Sequence, residues 1–267
     1  MDNTQQSIGQ QPLDGALVRR APYGSHARSA AGNLAVQEAT SRLSTANLEL
    51  QQKIGRQPLD DAFVQQVHDM TLCCVPGKLP VGETTSRLSR ANLGHYVLDR
   101  ADRGGGARLV AYSLNELFDT TACSVHLRVN YFCSAFLLPE MRTKYMLYQT
   151  LCALRITRDD DILLMRTQNP RAMSSFLRLC RSHGYQPYTP LSKHVPDVMR
   201  EILLGRFLTD SLVHRRAYPV RIAPSEEPVT PEAKQIMSLT DPAQGDACVF
   251  VAMRPREGSL FEPGDDG

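Results

Sequence analysis

The sequence predicts a mixed α/β domain, of the α+β or α/β kind, built on a mixed sheet. Three observations carry that expectation. From about Gln57 onward, apolar residues recur at helical spacing in some segments and as β-branched or aromatic runs in others. The two kinds of segment interleave along the chain: helix, helix, strands, helix, strand, helix, helix, strand, strand. The composition, 42% hydrophobic and 22% charged over 267 residues, suits a chain that buries one sizeable core.

The elements follow in order. "PLDDAFVQQVHDMTL" places Leu59, Phe63, Val67 and Met70 on one helical face, with Pro58 suited to a first turn. "TTSRLSRANLGHYVLDRA" places Leu88, Leu93, Tyr96 and Val97 likewise, and predicts a second helix begun by Thr84 or Thr85. The glycines of "DRGGG", Asp102 to Gly106, end it. "ARLVAYSL" reads as a strand, "SLNELFDTT" as a hairpin loop carrying Glu116 and Asp119, and "ACSVHLRVNYFCSAFLLP" as one or two further strands. "RTKYMLYQTLCALRI" is a helix with Met146, Leu147, Leu151 and Leu154 on one face, and "DDILLMRT" is a short buried strand. Asn169 then caps a helix that runs to about Gly184, with Pro170 at its first position and Met173, Phe176, Leu177 and Cys180 as its stripe. "DVMREILLGRFLTD" is a further helix; "YPVRI" and "ACVFVAM" are two late strands separated by the loop "APSEEPVTPEAK".

A short segment occurs twice. "IGQQPLDGALV" returns as "IGRQPLDDAFV", and "ATSRLSTANL" returns as "TTSRLSRANL". Two copies are too few for a solenoid, which needs about three stacked units to bury a continuous core. The expected organisation is an N-terminal duplicated, partly disordered segment over 1–53, a folded domain over 54–255 and a flexible tail over 256–267. A helical interaction protein built on the repeat would require the first copy to be folded.

Several function classes lose support. The 30 basic and 28 acidic residues are well mixed, so no electrostatic footprint for nucleic acid is visible. The longest apolar run, around Tyr131 to Leu138, is far short of the roughly 20 residues that span a bilayer, and a soluble protein without a membrane partner is expected. The polar N-terminus has no apolar stretch of secretory type. Seven cysteines without a C-x-x-C pair suit an intracellular, reducing compartment, so a cytoplasmic protein with no metal site is expected. No Walker turn, H-E-x-x-H helix or Ser-His-Asp order is present. His126, alternating with Val125 and Leu127, reads as a surface or core residue of a strand.

Two strand-turn-helix units remain as candidate sites. "FLLPEMRTKYMLYQ" and "LLMRTQNPRAM" each deliver a strand into a helix start, where unpaired backbone N–H groups suit phosphates. Side by side in a sheet, their ends can splay into a cleft. The arrangement resembles the GCN5-related N-acetyltransferase (GNAT) superfamily, whose acyl-CoA turn has the pattern Arg/Gln-x-x-Gly-x-Gly/Ala. Here Arg142, Thr143, Lys144, Tyr145, Met146 and Leu147 stand at that pattern. Asn169-Pro170-Arg171-Ala172 resembles the family's Asn-x-x-Ala helix start, and Gly245-Asp246-Ala247 a closing strand. The resemblance covers roughly Val81 to Met253. Tyr145 and Leu147 fill both glycine positions, and Phe176 stands where many members carry an acidic tyrosine.

The resemblance implies a GNAT-like fold, acetyl-CoA as cofactor, and an amine-bearing small molecule or protein as acceptor. Backbone N–H groups of Phe136, Leu137 and Leu138 would polarise the thioester. Arg142, Thr143, Lys144, Tyr145 and Met146 would hold the pyrophosphate beside Asn169. Glu140 would take a proton from the amine, and Tyr185, or Tyr188, would replace the missing acid. A non-catalytic relative that uses the same cleft to bind a partner is the alternative reading.

Overall fold

The computed structural model describes residues 36–41, 43, 47–56, 58–75, 79–100, 107–141, 145–157, 159–219, 221–222 and 230–255. The middle of the first repeat copy, the "DRGGG" turn and the tail over 256–267 lie outside the described residues. Eight strands form one sheet in the order β1-β2-β3-β4-β5-β8-β6, with β7 also paired to β8. They are β1 (Leu48–Ile54), β2 (Leu93–Asp99), β3 (Arg108–Ala122), β4 (Val125–Leu137), β5 (Ile162–Thr167), β6 (Gln186–Tyr188), β7 (Val213–His214) and β8 (Ala247–Met253). The helices are α1 (Asp61–Leu72), α2 (Val81–Arg90), α3 (Tyr145–Leu154), α4 (Pro170–Ser182), α5 (Asp197–Phe207) and α6 (Pro231–Met237). Every pairing is antiparallel except β4 with β5. The expected mixed α/β class is the one observed.

Local chemistry explains most boundaries. Asp60, not Pro58, starts α1: its carboxylate accepts the Ala62 N–H at 3.1 Å. Asn169 caps α4 as expected, accepting from Arg171 and Ala172, and Met173, Phe176, Leu177 and Cys180 are buried beneath it. The second predicted helix stops at Arg90, and Leu93, Tyr96 and Val97 belong to β2. Asn92 makes that break: its Oδ1 accepts the Leu117 N–H and its Nδ2 donates to the Leu117 carbonyl, both at 2.7 Å.

"SLNELFDTT" is strand rather than loop. β3 runs on to Ala122, and the chain reverses through Cys123 and Ser124, both at positive φ, as a two-residue hairpin requires. The Cys123 N–H donates to Glu201 of α5, fixing the turn. The described residues of "YPVRI", Tyr218, Pro219, Arg221 and Ile222, are not strand; Tyr218 is instead locked to Gly245, whose carbonyl accepts the Tyr218 N–H at 3.0 Å. Gly245 has φ +82°, and a Cβ there would collide with the Tyr218 carbonyl oxygen. The loop before β8 contains α6, begun by Thr230 and Pro231.

The sheet also crosses the expected boundary at residues 53 and 54, because β1 begins at Leu48 and pairs along its whole length with β2. Residues 36–41 are helical. Ala39, Leu43 and Leu48 are buried, as are Thr84, Leu88 and Leu93 at the matched positions of the second copy.

Two faces of the sheet carry cores. On β5, Ile162 and Leu164 pack with α5, while Leu163 and Met165 pack with α4 and α6, as period-two alternation demands. A third cluster joins α1, α2 and α3 to β2 and β3.

Candidate functional site: a cleft between two splayed strands

The parallel pair β4 and β5 comes apart. Their register ends at Phe132 opposite Met165, whereas β4 continues to Leu137. The divergence begins at a bulge: Leu114 opposes Ser134 and Asn115 opposes Phe132, leaving Cys133 as the extra residue. Such a bulge bends its strand and ends pairing locally. Between the separated strands lies a cleft of about 1090 Å³, flanked by α3 and α4.

A buried polar network sits at the base of the splay. Asn115 donates to the side chain of Asn130 at 2.6 Å, and both donate to the Arg155 carbonyl. Asn130 also donates to Asp160 at 2.7 Å, and Asp160 accepts the N–H and hydroxyl of Thr157. Burial pushes the Asp160 carboxyl up to about 6, against those hydrogen bonds. The network fastens the α3–β5 connection to the β3–β4 hairpin where the strands part.

The polar triplet at the end of β5 is bonded into its own turn. Thr167 Oγ1 accepts the Asn169 N–H at 3.0 Å, and Asn169 Oδ1 is taken up by its capping bonds. Gln168 is buried; its amide donates to the Asp246 carbonyl at 2.9 Å and its oxygen accepts the Ile222 N–H at 2.9 Å. Asn169 lines the cleft, so its neighbourhood matches the expectation while its side chain serves the helix.

The other expected residues divide. Phe136 and Leu137 line the cleft. The Leu138 N–H donates to the Val110 carbonyl at 3.0 Å and is spent on the β3–β4 ladder. Alternation then turns the Phe136 amide toward β3 and the amides of Ala135 and Leu137 toward the cleft. Arg142, Thr143 and Lys144 lie outside the described residues; Tyr145 and Met146 open α3. Glu140 is exposed, paired with Arg108 at 3.0 Å, and is not brought to the cleft. Nor is Tyr185, which is buried with its hydroxyl donating to the Asp160 carbonyl at 2.8 Å and accepting from Arg254. Burial raises that phenol's pKa further above its ordinary range. Tyr188 is half-buried in β6, packed against the α5 cluster. Phe176 lies in the core, edge-on to Phe132 with centroids 5.5 Å apart. Glu116 is buried in an ion pair with Arg206, Asp119 pairs with Arg128, and His126 is exposed.

Comparisons with known proteins add a resemblance. No protein-family model matches the chain, and no curated protein matches it. Among solved structures it is similar to Arabidopsis thaliana NAA60 in complex with acetyl-CoA, at 7% identity over 54% of this chain and 91% of that one, with a TM-score of 0.35. It is also similar to the ribosomal-protein-S18-alanine N-acetyltransferase from Escherichia coli, at 10% identity over 80% of this chain and 99% of that one, with a TM-score of 0.39. The order of the elements and the splay of β4 from β5 are read from this chain alone.

The cleft contains side chains that sequence reasoning did not single out. Arg87 of α2 is buried, donates from Nη1 to Ser134 Oγ at 3.3 Å and pairs with Glu83 at 3.0 Å. Arg166 of β5 lies with its guanidinium carbon 4.9 Å from the Tyr218 ring centre and 5.1 Å from that of Phe207. Tyr218 donates its hydroxyl to the Arg166 carbonyl at 3.3 Å. Burial, with help from Arg166, pulls His214 down to about 4, so at neutral pH it is uncharged and accepts from Arg166 Nη1 at 3.4 Å. Burial also pushes the Cys133 thiol up to about 12, which keeps it from being a thiolate nucleophile. The alternating pattern of β5 was the sequence signal for Arg166, and Arg87 lies within a helical segment whose apolar residues alone carry the pattern.

Among the described residues no group of three or more His, Cys, Asp or Glu is placed to hold a metal ion, and no helix is long and apolar enough to cross a membrane.

Proposed function

We propose that the chain is a divergent GNAT-type N-acyltransferase that takes acetyl-CoA in the β4–β5 cleft and passes the acetyl group to an amine by direct attack. The observation that carries this reading is the bulge at Cys133 followed by the splay, which turns the Ala135 and Leu137 amides into an open space of about 1090 Å³. The residues present fit such a ligand. Arg155, Arg171 and Arg178 line the cleft, Leu151 and Leu177 give it apolar wall, and the two amides are donors for a carbonyl oxygen that gains charge.

Bound acetyl-CoA would supply a thioester, whose C–S bond breaks as the C–N bond to the amine forms. The chain's own residues do the rest. Ala135 and Leu137 stabilise the oxyanion. Tyr218 is the phenol among the described lining residues and would return a proton to the departing thiolate, a role the sequence reading gave to Tyr185 or Tyr188. Glu232 is the one carboxylate among the described lining residues, and it is paired with Arg181. The amine therefore loses its proton to solvent before attack.

Calorimetric titration with acetyl-CoA tests the reading. Binding in the micromolar range is expected, together with release of free thiol when amines are added. Absence of heat and of any thermal shift at millimolar acetyl-CoA would sink it. The second reading, a binding module without turnover, is favoured by Phe176 in the core and by Glu140 and Tyr185 outside the cleft. It predicts acetyl-CoA binding with no thiol release across a panel of amines.

A further inference from the structure

Within the acyl-transfer reading, on which this step rests, one end of the cleft has a chemistry of its own. Arg87, Ser134, Arg166 and Tyr218 come from α2, β4, β5 and the loop after β7, and all four line the cleft. The Tyr218 ring is within cation–π range of both guanidinium groups, at 5.9 Å for Arg87 and 4.9 Å for Arg166.

The charges there do not balance. Arg87 has Glu83 as its partner. Among the described residues Arg166 has no carboxylate within ion-pair distance; its guanidinium meets the neutral His214, the Tyr218 side chain and the Phe207 ring, and Glu83 acts on it only from farther off. Its Nε is buried and makes no hydrogen bond. A buried guanidinium N–H without an acceptor costs on the order of 1–3 kcal/mol or more, and native proteins retain such a group where something else completes it. The wider cleft has the same sign: six arginines and one acidic residue among its described lining.

We propose that this end of the cleft binds the acceptor through an anionic group, and that the acceptor is a small amine bearing a carboxylate, an amino acid or a close relative. Nε and an Nη of Arg166 form the edge that pairs with a planar carboxylate in two parallel hydrogen bonds. Arg87 and Ser134 supply further donors. The enclosure favours a small molecule: Tyr218 and Arg87 are 8% and 7% exposed, so the anionic group must enter past them.

The test uses the whole chain without acetyl-CoA, so that it stands or falls separately from acyl transfer. Binding of free L-amino acids, of the corresponding amino acid amides and of O-phosphoethanolamine is measured by calorimetry on the wild type, Arg166→Met and Arg166→Lys. The expected result is that at least one amino acid binds the wild type at least tenfold more tightly than its amide. Arg166→Met should lose that preference, and Arg166→Lys should keep part of it. Circular dichroism establishes that each variant is folded, and Arg87→Met serves as the second variant should Arg166→Met fail to fold. Equal binding of acid and amide, or an unchanged preference in the folded variants, would overturn the proposal. Tighter binding of O-phosphoethanolamine than of every carboxylate would overturn the carboxylate assignment. Should acetyl-CoA fail to bind while the amino acid preference holds, the anion site stands and the acyl-transfer reading falls.

Discussion

Replacing Asp160 by Asn exposes the electrostatic cost at the base of the cleft. The carboxyl is 2% exposed and its pKa rises from 3.8 to about 6, because burial outweighs the hydrogen bonds from Asn130 and Thr157. The sign follows from linkage. A carboxyl with a raised folded-state pKa holds its proton more tightly in the folded chain, so its contribution is fully present below about pH 4 and is lost as pH rises through about 6. At about 1.4 kcal/mol per unit, a shift of roughly two units makes the fall between about pH 4 and pH 7 some 2–3 kcal/mol. His214 opposes it in the wild type: its pKa is lowered to about 4, so its contribution rises with pH between about 4 and 6.5. Urea unfolding of wild type and Asp160→Asn at several pH values separates the two, since His214 is common to both and cancels in the difference. The stability of wild type minus variant should fall by about 2 kcal/mol across that window. A difference flat to within about 0.5 kcal/mol, or one that rises with pH, would show that the hydrogen bonds offset or outweigh burial and would refute the account.

Other perturbations test other parts of the molecule. Leu43→Ala and Leu88→Ala remove matched, buried side chains of the two repeat copies, and each should cost about 2–5 kcal/mol in urea unfolding; a cost below about 1 kcal/mol for Leu43→Ala would detach the first copy from the core. Glu116→Gln leaves the Arg206 guanidinium buried without its counter-charge and should destabilise by about 3–5 kcal/mol, with Glu116→Gln/Arg206→Met recovering much of the loss. Tyr218→Phe should lower kcat for acetyl transfer by about 100-fold or more while KM for acetyl-CoA stays within about twofold; an unchanged kcat removes Tyr218 from acid catalysis.

What the sequence made legible follows the range of the interactions involved. The β5–α4 unit could be read because its information is local: an apolar strand, an Asn cap, a proline at the first helical position and a stripe of period 3.6. β2 could not, because Leu93, Tyr96 and Val97 also fit helical spacing, and Asn92 breaks the helix only by bonding to Leu117, far along the chain. β3 was cut short for a related reason. Asn115 and Glu116 look like loop residues until Asn130, Arg155 and Arg206 arrive from other elements to satisfy them. The site divides in the same way. Phe136, Leu137 and Asn169, expected at the cofactor, all line the cleft, because strand ends and helix starts can be read locally. Glu140 and Tyr185 were chosen for closeness in sequence, and the fold carried both elsewhere. Tyr218 was invisible because Gly245, not its own neighbours, sets its position.

The turn from Thr167 to Asn169 shows how position and chemistry separate in this cleft. Its three side chains each hold the backbone: one braces the next amide, one ties the turn to Ile222 and Asp246, and one caps α4. These bonds hold the turn in place at the cleft wall. In the proposed reading the recognition chemistry sits one step earlier, on Arg166, whose buried Nε makes no hydrogen bond, and across the gap on the Ala135 and Leu137 amides. Backbone donors demand a bulge and a splay but no particular side chain, so a sequence can drift at those positions while the cleft persists. An arginine whose Nε is buried without an acceptor is different, since its cost recurs in every folded molecule. The acceptor's identity should therefore be written in Arg166 and Arg87 more than in the turn that first draws the eye.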